Sequence, residues 1–322
     1  MTKGSMDATD VKILEKLDEN IRAGSKEIGE TLGLRRQVVD YRIKRLETSG
    51  AIIAYRMLAN LTKLGLQYRR VHLKLYSASL NEEEVIFKFL EKHPGVHWLV
   101  ECDGKYDMMI GITSIDTIEF NNVLSAFLVT FNKYISYYDI VHILNLTVPS
   151  RDFSGMRHVR SIKGAIVGNF NAESLSTIDK KIINELAENG RQTALEVAKK
   201  IKQRPENVNY HIKQIIKKGL LFSNIQFGYD VFGFELYKTL IYVRNPSRER
   251  IESFKKFARG YPRIWDIVET VGKWQLELDI ESRGHDDYYK IMDAVQDNFS
   301  DIVSYYDTLY IRKERKFLFS PF

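Results

Sequence analysis

The sequence predicts an α+β fold built from two copies of one unit, each containing three short helices followed by a βαββαβ module. The chain repeats itself at a nearly constant offset. Apolar residues recur at helical spacing at the start of each copy, and apolar and polar residues alternate along several later segments. With 322 residues, 44% of them hydrophobic, the chain is long enough for several domains with buried cores.

The repeat relates the two halves of the chain at an offset of 169 positions in the first part of each copy and 168 positions later. A single deleted residue reconciles the two values. We therefore place the copies at residues 7–149 and 175–322, joined by a linker at 150–174 that is rich in Gly, Ser, Asn and basic residues. The register is defined by pairs such as Asp10 and Asp179, Gly50 and Gly219, Gly104 and Gly272, and by a Ser-Tyr-Tyr-Asp run at 136–139 and 304–307.

The first module of copy one, residues 7–55, has the pattern of a helix-turn-helix. An apolar stripe predicts a first helix ending near Asn20, Ser25 can cap a second helix, and Gly33 and Gly50 end the second and third helices. A third helix with basic and amide residues at its start suits insertion into the major groove of DNA. The predicted DNA-contacting residues are Arg35, Arg36, Gln37, Tyr41, Arg42, Lys44 and Arg45. Arginine can contact guanine and glutamine can contact adenine, while Lys44 and Arg45 are better placed for phosphates.

The corresponding module of copy two, residues 175–225, repeats the layout with different chemistry. Positions 35–45 carry five basic residues against Asp40, whereas positions 204–214 carry two against Glu206. The second module is therefore a weaker reader or reads another sequence. Its candidate DNA contacts are Arg204, Asn207, Asn209, Tyr210, His211 and Lys213. The alternative interpretation, for either helix, is a basic face that is merely solvated.

The second module of each copy, at residues 64–149 and 232–315, has the order βαββαβ typical of a ferredoxin-like fold. In its first strand Val71 and Leu73 alternate with Arg70, His72 and Lys74, which predicts a half-buried strand. Two helices cover only one face of such a sheet. We therefore expect the two sheets to pair face to face within one chain as a pseudo-dimer.

Composition restricts the function classes. The formal charge of +6 and pI near 9.0 favour anionic partners such as nucleic acid. Cys102 is the single cysteine, so a disulfide or thiolate zinc site within one chain is excluded, and its apolar strand context predicts a buried thiol rather than a nucleophile. No segment has the length and hydrophobicity of a membrane span, and residues 1–10 contain no apolar stretch typical of a secretion signal. We expect a cytoplasmic protein.

The sequence predicts no catalytic residue, cofactor or metal ligand set. The seven histidines show no helical metal-ligand spacing, because Pro94-Gly95 interrupts the segment between His93 and His97. Gly104-Lys105 and Gly272-Lys273 lack the other residues of a phosphate-binding loop. We therefore predict that the chain is not an enzyme.

Each copy resembles the Lrp/AsnC family of leucine-responsive and related regulators over nearly its full length. The resemblance rests on Asp10-Val-Lys-Ile-Leu14, Gly33-Leu34, the run Tyr41-Arg-Ile-Lys-Arg-Leu-Glu47, and Gly104-Lys-Tyr-Asp107. It implies a transcriptional regulator that binds double-stranded DNA through its first module and a small-molecule effector, such as an amino acid, through its second, and that forms a homodimer or larger assembly. The effector-binding residues that the resemblance implies are Gly104, Lys105, Tyr106, Asp107, Gly272, Lys273 and Trp274. Two departures are Arg35, where the family usually has a small or hydroxyl residue, and Gln275, which stands where copy one has Asp107.

Three alternatives remain open from the sequence. Siroheme decarboxylases resemble the same family and occur as fused pairs, although strands 97–107 and 265–275 lack their histidine-cysteine-tyrosine signature. The chain could also be a scaffold that has lost DNA binding. The turn at Gly104–Asp107, finally, is equally consistent with a plain hairpin whose aspartate bonds its own backbone.

Overall fold

The computed structural model describes residues 6–151, 153, 161–169 and 171–322. Copy one contains α1 (Ala8–Glu19), α2 (Ser25–Leu32), α3 (Arg36–Thr48), β1 (Ile52–Ala59), β2 (Gln67–Leu75), α4 (Leu80–Lys92), β3 (Val96–Gly104), β4 (Met108–Ser114), α5 (Thr117–Phe131) and β5 (Ile135–Pro149). Strand β6 (Ile162–Val167) follows. Copy two contains α6 (Thr177–Glu188), α7 (Ala194–Ile201), α8 (Pro205–Lys217), β7 (Leu221–Phe227), β8 (Glu235–Val243), α9 (Arg248–Gly260), β9 (Ile264–Val271), β10 (Leu276–Ser282), α10 (His285–Phe299) and β11 (Val303–Phe317).

The first helix of each copy begins with the same capping arrangement. Asp7 caps α1 and accepts hydrogen bonds from the amides of Thr9 and Asp10, while the Asp10 carboxylate accepts one from the Asp7 amide. Ser176 and Asp179 form the equivalent capping box of α6. These local bonds satisfy amides that a helix start otherwise leaves unpaired, which is why the helix starts recur at matching positions.

The βαββαβ modules form two four-stranded sheets, in the orders β5-β2-β4-β3 and β11-β8-β10-β9. Their edges join, because β3 pairs with β11 and β5 with β9, both antiparallel. In the described part of the chain the eight strands thus form a closed ring, and β6 pairs with the end of β5. The predicted α+β fold with an internal pseudo-dimer is confirmed.

The two helix-turn-helix modules are also joined to each other. Strand β1 pairs with β7 in antiparallel register, from Ile52 opposite Phe227 to Ala59 opposite Leu221. The Arg22 guanidinium of copy one donates to the carbonyls of Gly190 and Gln192 of copy two, at 2.6 and 2.8 Å. Because the link is both strand pairing and side-chain hydrogen bonding, the two modules are held as one unit.

The segment predicted as a linker is partly ordered into the fold. Strand β6 lies within it, and Lys163 forms an ion pair with Asp18 of α1 at 2.6 Å. Arg151 is buried, and its amide donates to the same aspartate. Residues 152, 154–160 and 170 of this segment lie outside the described residues. The Gly- and Ser-rich composition of this segment did not predict β6. The strand is ordered by its pairing with β5, which composition does not reveal.

Outside the ring, the helices of each copy cover the sheet with aromatic and aliphatic side chains. Phe87 and Phe127 lie in the cluster of copy one, and Phe254 and Met292 in that of copy two. Within the part of the chain that the structure describes, no helix is both long and apolar enough to cross a membrane.

Candidate nucleic-acid interface and ligand site

The turn between α2 and α3 is compact and depends on Gly29. The Leu34 amide donates to the Gly29 carbonyl at 2.8 Å, and a Cβ added at Gly29 would lie only 2.6 Å from the Leu34 carbonyl oxygen. Such a contact is too short for any side chain, so glycine is required here. The turn presents the start of α3 to solvent while Val39, Ile43 and Leu46 are buried below it.

Six of the seven predicted DNA-contacting residues of α3 and its cap are exposed, and five of them have no partner on another element of the described chain. Tyr41 is 67% exposed. Among the described residues, one of these five forms an ion pair, Arg36 with Asp40 on the same helix at 3.4 Å. The five residues are Arg35, Arg36, Gln37, Tyr41 and Lys44, and the sixth exposed residue is Arg45. These side chains are therefore free to meet a groove and its phosphates.

Arg42 and Arg45 instead tie α3 to the start of α1. The Arg42 guanidinium lies 2.8 Å from the Asp7 carboxylate and 2.9 Å from that of Asp10, and Arg45 also pairs with Asp10, which is fully buried. The hydrogen bond from Arg42 lowers the pKa of Asp7 to about 2. The structure thus places Arg42 within the module, whereas Arg45 pairs with Asp10 but stays exposed.

Copy two repeats this contact between its third and first helices, here called the clamp, with different residues. His211 Nδ1 lies 2.7 Å from the Asp179 carboxylate, at the position equivalent to Arg42 and Asp10. Of the other candidates, Arg204, Asn209, Tyr210 and Lys213 are exposed and Asn207 is half-buried. Pro205 and Glu206 occupy the places of Arg36 and Gln37, so the start of α8 carries less positive charge than that of α3.

The predicted effector turns meet the other copy of the repeat. Lys105 Nζ lies 2.5 Å from the carboxylate of Asp307 and 3.1 Å from the Tyr242 hydroxyl. Lys273 Nζ lies 2.8 Å from the carboxylate of Asp139. The two Gly-Lys turns and the two Ser-Tyr-Tyr-Asp runs, which the sequence repeats without an evident reason, are thus partners across the pseudo-twofold axis.

Asp107 has both a structural and an ionic partner. It accepts a hydrogen bond from the Leu75 amide at 2.7 Å and pairs with Lys74 at 2.7 Å. In copy two, Gln275 accepts the equivalent bond from the Val243 amide at 2.9 Å. The amide of Gln275 reproduces the structural bond but not the charge, so only the turn of copy one retains an anionic group.

The aromatic residues of these two turns are buried. Tyr106 donates to Asp139 at 2.7 Å, and Trp274 donates from Nε1 to Glu277 at 3.0 Å. Neither ring is therefore an exposed surface for a ligand.

The space between the two sheets holds a polar network that the sequence did not predict. Glu277 is fully buried and pairs with Arg70 and Lys238. His72 is also fully buried, and burial lowers its pKa to about 3, so it is neutral there. The prediction that β2 is half-buried is wrong, because the second sheet covers the face that carries Arg70 and His72. The alternation of Arg, His and Lys with Val and Leu predicted a half-buried strand, but the face-to-face pairing of the two sheets also covers its polar face.

A cavity of about 90 Å³ lies beside this network, between the sheets, and residues of β6, β7 and the C-terminal segment also line it. Its lining includes Tyr68, Arg70, Trp98, Arg151, Trp265 and Asp266. In the described residues, no group of three or more His, Cys, Asp or Glu side chains is placed to hold a metal ion. Cys102 is buried, and burial raises the pKa of its thiol.

Comparison with known proteins agrees with this geometry. Residues 6–47 match the AsnC-type helix-turn-helix domain, and residues 175–221 match a winged helix-turn-helix DNA-binding domain. The HTH-type transcriptional regulator FL11 of Pyrococcus furiosus is 30% identical over 122 residues, which is 38% of this chain and 80% of that protein. The chain belongs to the Lrp/AsnC family. Another relative, the regulator LrpB of Bacillus subtilis, is 26% identical over 42% of this chain and 89% of its own length.

The tandem arrangement of this Lrp/AsnC chain also has a counterpart among solved structures. The siroheme decarboxylase NirDL superposes with a TM-score of 0.64 over 96% of this chain and 92% of its own, at 13% identity. At that identity the match shows a common fold. The predicted family and tandem duplication are confirmed by the two helix-turn-helix matches and the regulator relatives.

Proposed function

We propose that this Lrp/AsnC protein is a sequence-specific DNA-binding transcriptional regulator in which α3 is the principal reading helix. The observation that carries the proposal is the exposed face of α3, in a module that matches the AsnC-type helix-turn-helix. Within the described part of the chain, Arg35, Arg36, Gln37 and Lys44 have no partner on another element. Arginine and glutamine are side chains that contact base edges in the major groove. The β1–β7 link supports simultaneous docking of α3 and α8 on two half-sites.

Replacing Lys44 by Ala should weaken binding to all DNA sequences alike. Because each neutralised phosphate releases counterions, the loss of one contact should reduce the slope of log affinity against log salt by about one unit. Gel-shift or fluorescence-anisotropy titrations at several salt concentrations measure this slope. Lys88→Ala, a change of an exposed lysine on α4, is the matched control and should leave the slope unchanged. Equal slopes for wild type and Lys44→Ala would contradict a role of α3 at the backbone.

We propose further that the turn of copy one binds a small-molecule effector with an ammonium group, such as an amino acid. Asp107 is the charged acceptor for that group, in competition with Lys74, while Lys105 or nearby amides hold a carboxylate. The absence of charge at Gln275 supports one dominant site per chain. A homodimer or larger assembly stays a prediction.

Asp107→Asn tests the effector site without disturbing the turn. The asparagine oxygen can still accept the Leu75 amide, as Gln275 does for Val243, so the fold should be retained while the charge is lost. Calorimetric titration of amino acids should show binding to wild type and about tenfold or greater loss in the variant, since hydrogen bonds to charged groups contribute roughly 1.5–3 kcal/mol. Two equal sites, or binding unaffected by the change, would return the turn to a purely structural role.

Incubation with an iron tetrapyrrole tests the alternative that this fold serves as a siroheme decarboxylase. Ligand pockets for larger molecules usually measure roughly 300–1,000 Å³, and the interior cavity of about 90 Å³ is far smaller. We expect no Soret-type absorption band. A stoichiometric band would favour the enzyme over the regulator.

A further inference from the structure

The cavity between the sheets is lined by polar groups that the fold leaves without partners. Among the described residues, five buried polar atoms that lack a hydrogen-bond partner belong to residues lining this cavity. They are the Tyr68 hydroxyl, Nε of Arg70, Nε of Arg151, Nε1 of Trp265 and Oδ2 of Asp266. Leaving one such group unpaired in a protein interior costs about 1–3 kcal/mol, so five around one space indicate an occupant.

Four of these five atoms can donate a hydrogen bond, and one of the four, the tyrosine hydroxyl, can also accept one. The two guanidinium groups are held in place by indole rings, Arg70 over Trp98 at 4.5 Å and Arg151 over Trp265 at 4.6 Å. One terminal nitrogen of each guanidinium pairs with a carboxylate, Arg70 with Glu277 and Arg151 with Glu281, and the second terminal nitrogen of Arg151 donates to the Tyr229 hydroxyl at 2.8 Å. The Nε–H groups of both arginines have no hydrogen-bond partner among the described residues. A ligand that satisfies them must supply acceptor oxygens.

The carboxyl groups at the cavity repel an anion less strongly than their number suggests. Burial, together with the nearby Asp279, raises the pKa of Asp266 well above its usual value, which disfavours a negative charge there. Burial raises the pKa of Glu314 to about 7. The carboxyl groups of Glu277 and Asp279 already pair with Lys238, at 3.1 and 2.6 Å.

We propose that the interior of the barrel binds one small carboxylate per chain, held by Tyr68, Arg70, Arg151 and Trp265. An engineered cavity of about 150 Å³ accommodates benzene with its six heavy atoms, so about 90 Å³ suits a ligand of about four heavy atoms, such as acetate. The site is distinct from the turns at Gly104 and Gly272 and independent of DNA binding. A closed eight-stranded barrel is just wide enough for one small ligand.

Intrinsic fluorescence reports directly on this site, because Trp98 and Trp265 line the cavity and Trp274, the third tryptophan of the chain, contacts His72 of the adjoining network. Acetate, titrated at constant ionic strength against sodium chloride, should change the emission saturably with a stoichiometry of one per chain by calorimetry. Acetamide, which has the same size without the charge, should bind at least about tenfold more weakly, because the bonds from both guanidinium groups would then meet a neutral acceptor.

Tyr68→Phe removes only a hydroxyl and should weaken acetate binding by about tenfold. Trp265→Phe, followed by calorimetry, should do the same while keeping a ring over Arg151. The control Tyr289→Phe changes an exposed tyrosine of α10 and should bind acetate like wild type. The absence of saturable binding, equal affinity for acetamide, or binding unaffected by both cavity variants would overturn the proposal and leave the cavity to ordered water.

Discussion

Glu277→Gln is expected to lower the free energy of unfolding by about 3–5 kcal/mol, the usual cost of removing one partner from a buried ion pair. Glu277 is fully buried and faces Arg70 and Lys238, themselves almost completely buried, with Trp274 donating to its other oxygen. Glutamine keeps the volume and one acceptor but leaves two buried cations without this counter-charge. Urea denaturation followed by circular dichroism measures the loss.

Two variants separate this effect from a general sensitivity to mutation. Glu19→Gln removes the carboxylate of an exposed pair with Lys16 and should cost no more than about 1 kcal/mol. The double variant Arg70→Met and Glu277→Gln should lose less free energy of unfolding than the sum of the losses of the two single variants. The reason is that it removes a buried charge together with its partner. If Glu277→Gln stays within about 1 kcal/mol of wild type, the interior network does not stabilise the barrel.

The same comparison made at several pH values should show where the ion pair contributes. Burial alone would raise the pKa of Glu277, but the charges of Arg70 and Lys238 outweigh it and hold that pKa well below its usual value. A lowered folded-state pKa stabilises the protein above the unfolded-state value of about 4.3 and loses that contribution as the pH falls toward the folded-state pKa. The difference between wild type and variant should therefore be constant near neutral pH and shrink below about pH 4.

Selection of DNA fragments with the full chain should yield an asymmetric site, with unlike half-sites for α3 and α8. Gln37 at the start of α3 can bond adenine, whereas Glu206 at the same position of α8 can accept from the amino group of cytosine. A wrong base at such a contact costs roughly 1–3 kcal/mol, or about 5- to 150-fold in affinity. An ordinary homodimer cannot make this distinction, because its two reading helices are identical.

Exchanging the two residues tests the assignment. Glu206→Gln should convert the preference at one base pair of the α8 half-site from cytosine to adenine and bring the selected site closer to a palindrome. Gln37→Glu should do the reverse at the α3 half-site, and Gln296→Glu, at an exposed position of α10 away from both reading helices, is the control. A palindromic site selected by the wild-type chain would refute the asymmetry but not DNA binding, whereas failure to select any sequence would refute the proposed function itself.

Much of the candidate DNA-binding face was predictable, and much of the interior was not. The position of α3 follows from its apolar spacing and from Gly33 and Gly50, so the exposed Arg35, Arg36 and Gln37 could be named from the sequence. Arg42 and His211 could not be recognised as clamp residues, because their partners Asp10 and Asp179 lie 32 residues away. The recurrence of both pairs at the repeat offset was the signal that could have revealed the clamp.

By itself the sequence determined the duplication, the helices and the βαββαβ order, because these depend on periodicity and on caps formed within a few residues. Only the tertiary structure decided that the two sheets close into one ring, that β6 joins it, and that Arg70 and His72 point into a covered interior. Those features depend on contacts over long distances in sequence, such as the 207 residues between Arg70 and Glu277. The alternation along a strand is the same whether its polar face meets water or a second sheet, so burial of that face is decided by what packs against it.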